Sequence, residues 1–374
     1  MTLALLTVAI SVAVGLLAAI AAHARLWVLA PVRAFAVVAV AAAIALHVVP
    51  EAIDGAGWWV LAPVALGFVA PPLVGKVARS AAVAHRRVAA ELSYAGVMVH
   101  QLGDGIGLGA LTGEAHDDHV HWDFVIGVGA HTVPLVAVIA LTFAELGGRR
   151  AALVRAAGML VATVAGVALT RIDTSFMVAA GPWINAAVAG LLFHVLLHDA
   201  DDRAVPRAAR PLEAVGAALG AALPFVAVGH DHGGLTGALR EGLGDVIVAL
   251  APVVVVGGVI ATALARRPRP RPAAIAAVVA GPVTVVALLL AGYVAAATSL
   301  DLAGDDLPVL SAIPTAVGVA AAALLAALAL GRIATAGFLT WLGRAPGRHA
   351  HAGHAHGPHG HAHAGHGVSG RGVS

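Results

Sequence analysis

Long apolar runs recur along this chain at short intervals. Each is about 18 residues or more, the length that crosses a ~30 Å hydrocarbon core as a helix rising ~1.5 Å per residue. They fall near 3–22, 34–53, 58–75, 91–111, 124–145, 151–170, 176–198, 211–230, 243–264, 273–297 and 309–331. A backbone immersed in lipid must satisfy its own N–H and C=O groups, which only helices and closed barrels achieve. The expected fold is therefore all-α, a polytopic membrane helix bundle of about eleven transmembrane helices. Composition agrees: 60% of residues are hydrophobic, 11% are charged, and mean hydropathy is +0.92, outside the range of soluble globular domains. The opening Met1-Thr2-Leu3-Ala4 lacks a basic flank and a small-residue cleavage site, so the first run is expected to be retained as a span.

The connections between runs alternate in charge. Arg25 and Arg33, Lys76 to Arg87, Arg149 to Arg155, Arg203 to Arg210, and Arg266 to Arg271 occupy every second one, whereas the others carry Glu51 and Asp54, Glu114 to Asp118, Asp173, Asp231, and Asp301 to Asp306. The positive-inside rule then places the N-terminus outside and the C-terminus in the cytoplasm. Because the basic residues sit in short connections, they are read as a topology signal rather than a nucleic-acid surface. The expected location is a cell membrane, a bacterial inner membrane, crossed many times. The expected partner at this level is the lipid bilayer, with a homodimer left open. The chain has no cysteine, which excludes disulfides, thiolate metal sites and cysteine nucleophiles.

Polar residues interrupt the apolar runs at few places. An ionisable side chain at the centre of a membrane helix costs about 2.5–3.5 kcal/mol on insertion scales and persists mainly where it has a function. His100 and Asp104 are spaced i,i+4 and share one helix face, within His100-Gln101-Leu102-Gly103-Asp104-Gly105. At ~1.5 Å per residue, Asp104 lies ~20 Å from the inner end of its run and His131 ~10 Å below the outer end of the next. The two side chains thus fall at nearly one depth. Pro134 removes a backbone donor and frees a carbonyl beside His131. His47 and Glu51 form another i,i+4 pair around Pro50. Imidazole with carboxylate suits Zn²⁺, and also Fe²⁺, Mn²⁺, Co²⁺ or Ni²⁺, better than soft ions.

Accessory metal ligands are expected in three further places. The connection containing His116, Asp118, His119 and His121 lies above the candidate path, where it reads equally as a solvated acidic loop or as a cation-capture site. His194 and His198 are an i,i+4 pair at the inner end of the seventh run. The terminal stretch carries His349, His351, His354, His356, His359, His361, His363 and His366; among its His, Ala and Gly it has no large apolar side chains to fold around and is expected to be disordered without metal.

Together these positions resemble the ZIP family of divalent metal transporters, over about residues 1–230. That family typically shows His-x-x-Pro-Glu on its second helix, His-Asn-x-x-(Asp/Glu)-Gly on its fourth and (His/Gln)-(Glu/Asp)-x-Pro-(His/Glu) on its fifth. This chain has His47-Val48-Val49-Pro50-Glu51, His100-Gln101-Leu102-Gly103-Asp104-Gly105 and His131-Thr132-Val133-Pro134-Leu135. The resemblance implies an eight-helix transport domain over 1–230. It is followed by three additional transmembrane helices of unassigned role over 231–345 and the His-rich tail over 346–374. It further implies that His100, Asp104 and His131 are ligands, with Gln101 in place of a ligating Asn and able to offer a carbonyl oxygen, and that the metal, Zn²⁺ foremost, is a substrate moved into the cytoplasm. Thr132 and Leu135 stand where the family places carboxylates, and the run 151–170 has no acidic residue, so a single site is expected rather than a two-metal centre. No enzymatic role is expected. The alternatives are an intramembrane metal-dependent hydrolase, which would need a general base that the sequence does not offer, and a metal sensor or accessory protein without transport.

Overall fold

The computed structural model describes residues 2–77, 82–113, 122–170, 175–196, 203–226, 247–256, 280–298 and 314–343. Every regular element among them is helical. Helix α1 spans Thr2–Ala24, α2 Leu26–Ala43, a π-helical turn Ile44–Val48, and α3 Val49–Ala56. Then come α4 (Leu61–Val77), α5 (Ala82–Gly113), α6 (Trp122–Leu169), α7 (Ser175–His194) and α8 (Arg210–Val226). The remaining helices are α9 (Ile247–Val256), α10 (Pro282–Thr298), α11 (Thr315–Ala336) and the single turn α12 (Phe338–Trp341). Among the described residues four stretches are long and apolar enough to cross a membrane: Ala4–Ala24, Leu26–Ala56, Val125–Leu169 and Thr315–Ala336. The described part of the chain is thus all-helical and compatible with a membrane protein.

Helix α6 is too long for one crossing, and it folds back on itself. Gly148 has φ of 74°, a left-handed conformation that side-chain-bearing residues avoid. In a straight helix His131 and Thr163 would be ~48 Å apart at ~1.5 Å per residue. Both nevertheless reach the same turn of α5, through Asp104 and Gln101 respectively. The first half of α6 runs antiparallel to α5: Tyr94 packs edge-on to Phe143, and Asp104 meets His131. The second half runs parallel to it: Tyr94 Oη donates to the Arg155 carbonyl, and Gln101 meets Thr163. These halves correspond to the runs expected at 124–145 and 151–170.

Helices α5 and the second half of α6 approach to backbone contact. A Cβ on Gly105 would overlap the Thr163 carbonyl oxygen, and one on Gly166 would overlap that of Leu102. Such small-residue contacts suit packing in lipid, where no hydrophobic effect drives helices together. Helix α1 packs along the first half of α6, α2 along α8, and α4 along α7. One apolar core links them, with Val8, Ile44, Val97, Val136, Met159, Leu196 and Phe338 among its buried members.

Arg33, expected in a connecting loop, lies inside α2 and is 3% exposed. Its guanidinium pairs with the equally buried Glu213 of α8 and donates to the Arg203 carbonyl at 2.8 Å. The other Glu213 oxygen accepts the Phe338 N–H at 2.9 Å. Arg203 in turn reaches the His23 carbonyl at 3.0 Å and Glu145 at 3.6 Å. This polar knot joins α1, α2, α6, α8 and α12 at one end of the bundle. Removing one member of a buried pair strands the other charge and costs about 3–5 kcal/mol, whereas replacing both with apolar residues of similar volume is close to neutral. Glu213→Ala should therefore lower the unfolding midpoint of the purified protein sharply. The double variant Arg33→Met/Glu213→Leu should recover most of the loss; thermal unfolding in detergent reads both.

Candidate metal site

Helix α5 places His100 and Asp104 one turn apart, and the first half of α6 brings His131 against them. His131 Nε2 lies 3.1 Å from Asp104 Oδ2 and His100 Nε2 lies 3.6 Å from the same oxygen. The two imidazoles are tilted at 45° with centroids 5.6 Å apart. One ligand atom from each of the three residues lies within 4.8 Å of the others. Two ligands bound at ~2.0–2.2 Å to one tetrahedral ion are about 3.3 Å apart, so these separations already approximate the edges of a coordination polyhedron. Asp104 and His100 are each 13% exposed and His131 is 24% exposed, which leaves room for water or an entering ion at the open position. Among the described residues this is the one group of three or more such side chains that could hold a metal ion.

The surrounding backbone orients the ligands. His131 Nδ1 is 3.0 Å from the Gly127 carbonyl oxygen. A carbonyl can only accept, so Nδ1 carries the hydrogen and Nε2 is the atom available to an ion. Nε2 also faces the Asp104 carboxylate at 3.1 Å, so a cation taken up there would compete with protons for both groups. Pro134 sits within α6, and the backbone beside His131 loses one donor of the helical ladder.

The other expected ligands fall in different surroundings. Gln101 is fully buried; its amide nitrogen donates to Asp104 Oδ2 at 3.3 Å and its carbonyl accepts the Thr163 hydroxyl at 2.8 Å. His47 lies in the π-helical turn and Glu51 in α3, with His47 Nε2 3.6 Å from Glu51 Oε2 and side chains 38% and 63% exposed. A π-turn followed by Pro50 is a frequent marker of functional helix irregularity. The pair is not part of the three-residue group. Thr132 is buried with its hydroxyl donating to the Val128 carbonyl at 2.7 Å, and Leu135 is core. His194 is 4% exposed and packs edge-on against Phe68. His116, Asp118, His119, His121, His198 and the eight histidines from His349 to His366 lie outside the described residues.

Thr163 was not singled out from the sequence. It is one of two threonines in the apolar run 151–170 and has no recognisable spacing to any ligand. Its proximity to Gln101 exists only once α6 folds back at Gly148. No protein-family model matches the chain, and no curated protein or solved structure matches it.

If the three side chains take up Zn²⁺, binding should release about one proton and weaken as pH falls, because cation and proton compete for the same atoms. Calorimetry in two buffers of different ionisation enthalpy measures the proton count directly. The Asp104→Ala variant should lose both the affinity and the proton release.

Proposed function

We propose that this chain is a secondary transporter that carries a divalent transition-metal ion, Zn²⁺ foremost, across the cell membrane into the cytoplasm. The observation that carries it is the convergence of His100, Asp104 and His131 from two neighbouring helices within an otherwise apolar bundle. Borderline divalent ions accept this combination of two imidazoles and one carboxylate. With one carboxylate among the three ligands, a bound divalent ion keeps a net positive charge. That favours exchange over permanent retention. Inward movement, the eight-helix transport unit over 1–230 and rearrangement of one helix group against another rest on the resemblance to ZIP transporters carried by the motifs around His47, His100 and His131.

The proposed topology has about eleven spans, with the N-terminus outside and the C-terminus in the cytoplasm. Two features support it. Arg33, Arg155 and Arg203 pair with Glu213, Glu91 and Glu145, and Arg210 donates to the Thr335 carbonyl, toward one end of the helices. Trp58 and Trp59, 47% and 80% exposed, lie beyond the far end of the α2–α3 stretch, where an aromatic belt would meet the opposite interface. On this topology His47 and Glu51 line the outer approach to the site, and the His-rich tail buffers the ion after release.

Cells expressing the wild type should accumulate radiolabelled zinc, and cells expressing His100→Ala/Asp104→Ala at equal abundance should fall to the level of the empty vector. Equal accumulation by the two would overturn the proposal. Deletion of 349–374 should preserve the initial uptake rate while changing how uptake responds to cytoplasmic metal.

A further inference from the structure

The geometry points to Gln101 as a positioning residue rather than a ligand. It is held by Thr163 and in turn holds the Asp104 carboxylate toward the two imidazoles. This inference rests on the metal-site assignment of His100, Asp104 and His131 and adds a layer behind it.

The orientation of the Gln101 amide is set at both ends. The Asp104 carboxylate can only accept, so the NH₂ group faces it, at 3.3 Å. The carbonyl therefore faces Thr163, whose hydroxyl donates to it at 2.8 Å. Thr163 has one proton, and its alternative acceptor, the Met159 carbonyl, is farther away at 3.2 Å. Both side chains are completely buried. The carbonyl oxygen that Gln101 would otherwise offer to an ion is thus engaged on the side of the second half of α6. Its amide proton is spent on the ligand oxygen that both imidazoles approach.

Helix packing makes the relay rigid. The backbone contact at Gly105 and Gly166 brackets Thr163 and Leu102, so the span between Gln101 and Thr163 cannot widen without separating the helices. The apolar second half of α6 consequently acts on the site without supplying a ligand. Partners that orient a metal-binding carboxylate typically change affinity 10–100-fold when removed.

Co²⁺ binding to the purified full-length protein in detergent, followed by visible absorption, tests this. Thr163→Val and Gln101→Met should each weaken Co²⁺ binding about 10–100-fold. The band positions at saturation should stay as in wild type, because the ligand set is intact. The double variant should be no weaker than Gln101→Met alone, and Thr163→Ser, which keeps the hydroxyl, should bind like wild type. A shifted spectrum in Gln101→Met would make Gln101 a ligand and overturn the inference, as would wild-type affinity in Thr163→Val. If Thr163→Val lowers the thermal midpoint, the decision passes to Gln101→Met and Thr163→Ser, which leave the helix contact untouched. Asp104→Ala separates the two levels. Wild-type binding in that variant would remove the metal site itself, whereas loss there with unchanged binding in Thr163→Val would remove only the role of Gln101.

Discussion

The site depends on the backbone contact between α5 and the second half of α6, and on the reversal at Gly148 that makes the contact possible. Gly105 and Gly166 let the two helices meet without side chains between them. Lipid offers no hydrophobic drive for such association; dispersion at close range and cross-helix hydrogen bonds supply it. Once α5 is clamped on that side, its opposite face is presented to the first half of α6. There His131 meets Asp104, and Tyr94 meets Phe143. A single helix thus makes a close backbone contact on one side and a partly open one on the other.

In the proposed function, that division suits an ion that must enter and leave. The three candidate ligand atoms would need little movement to surround an ion. The residues behind them, Gln101, Thr163 and the Gly127 carbonyl, fix one carboxylate oxygen and one imidazole. Pre-organisation of this kind lowers the cost of binding without adding charge. The charge is low in any case. Thr132 and Leu135, at positions where the resembled family places carboxylates, are turned into backbone bonding and core packing. In the proposed function, selectivity would then come from ligand type and geometry more than from net attraction.

The polar knot around Arg33 and Glu213 does a different task. It lies away from the metal site and ties the first two helices to α8 and to the turn that follows α11. Buried charge pairs contribute little net stability, but they fix which surfaces meet, because mispairing strands a charge. In a bundle whose helices are mostly Ala, Val and Leu, apolar faces alone would tolerate sliding. An Arg–Glu pair with a single partner geometry does not.

Periodicity and length sufficed to read an all-helical, membrane-compatible chain, because apolar runs of this length have few other folds. The i,i+4 spacing placed His100 with Asp104, and counting helical rise from the run ends set His131 at the same depth. Both follow from local helix geometry, which the residues carry with them. Charge alternation was less decisive for Arg33, which looked like a loop residue and proved to be a buried helical one. Its partner Glu213 lies 180 positions away, beyond any local pattern. Gln101 could be read as a potential ligand, since an amide offers both a carbonyl and an N–H. The Asp104 carboxylate takes the N–H end, which leaves the carbonyl to Thr163, and Thr163 arrives there only because α6 reverses. Sequence by itself determined the helices and which polar groups they carry. The tertiary structure decided which of those groups touch, because contacts between helices depend on how closely their backbones approach and where the chain turns back.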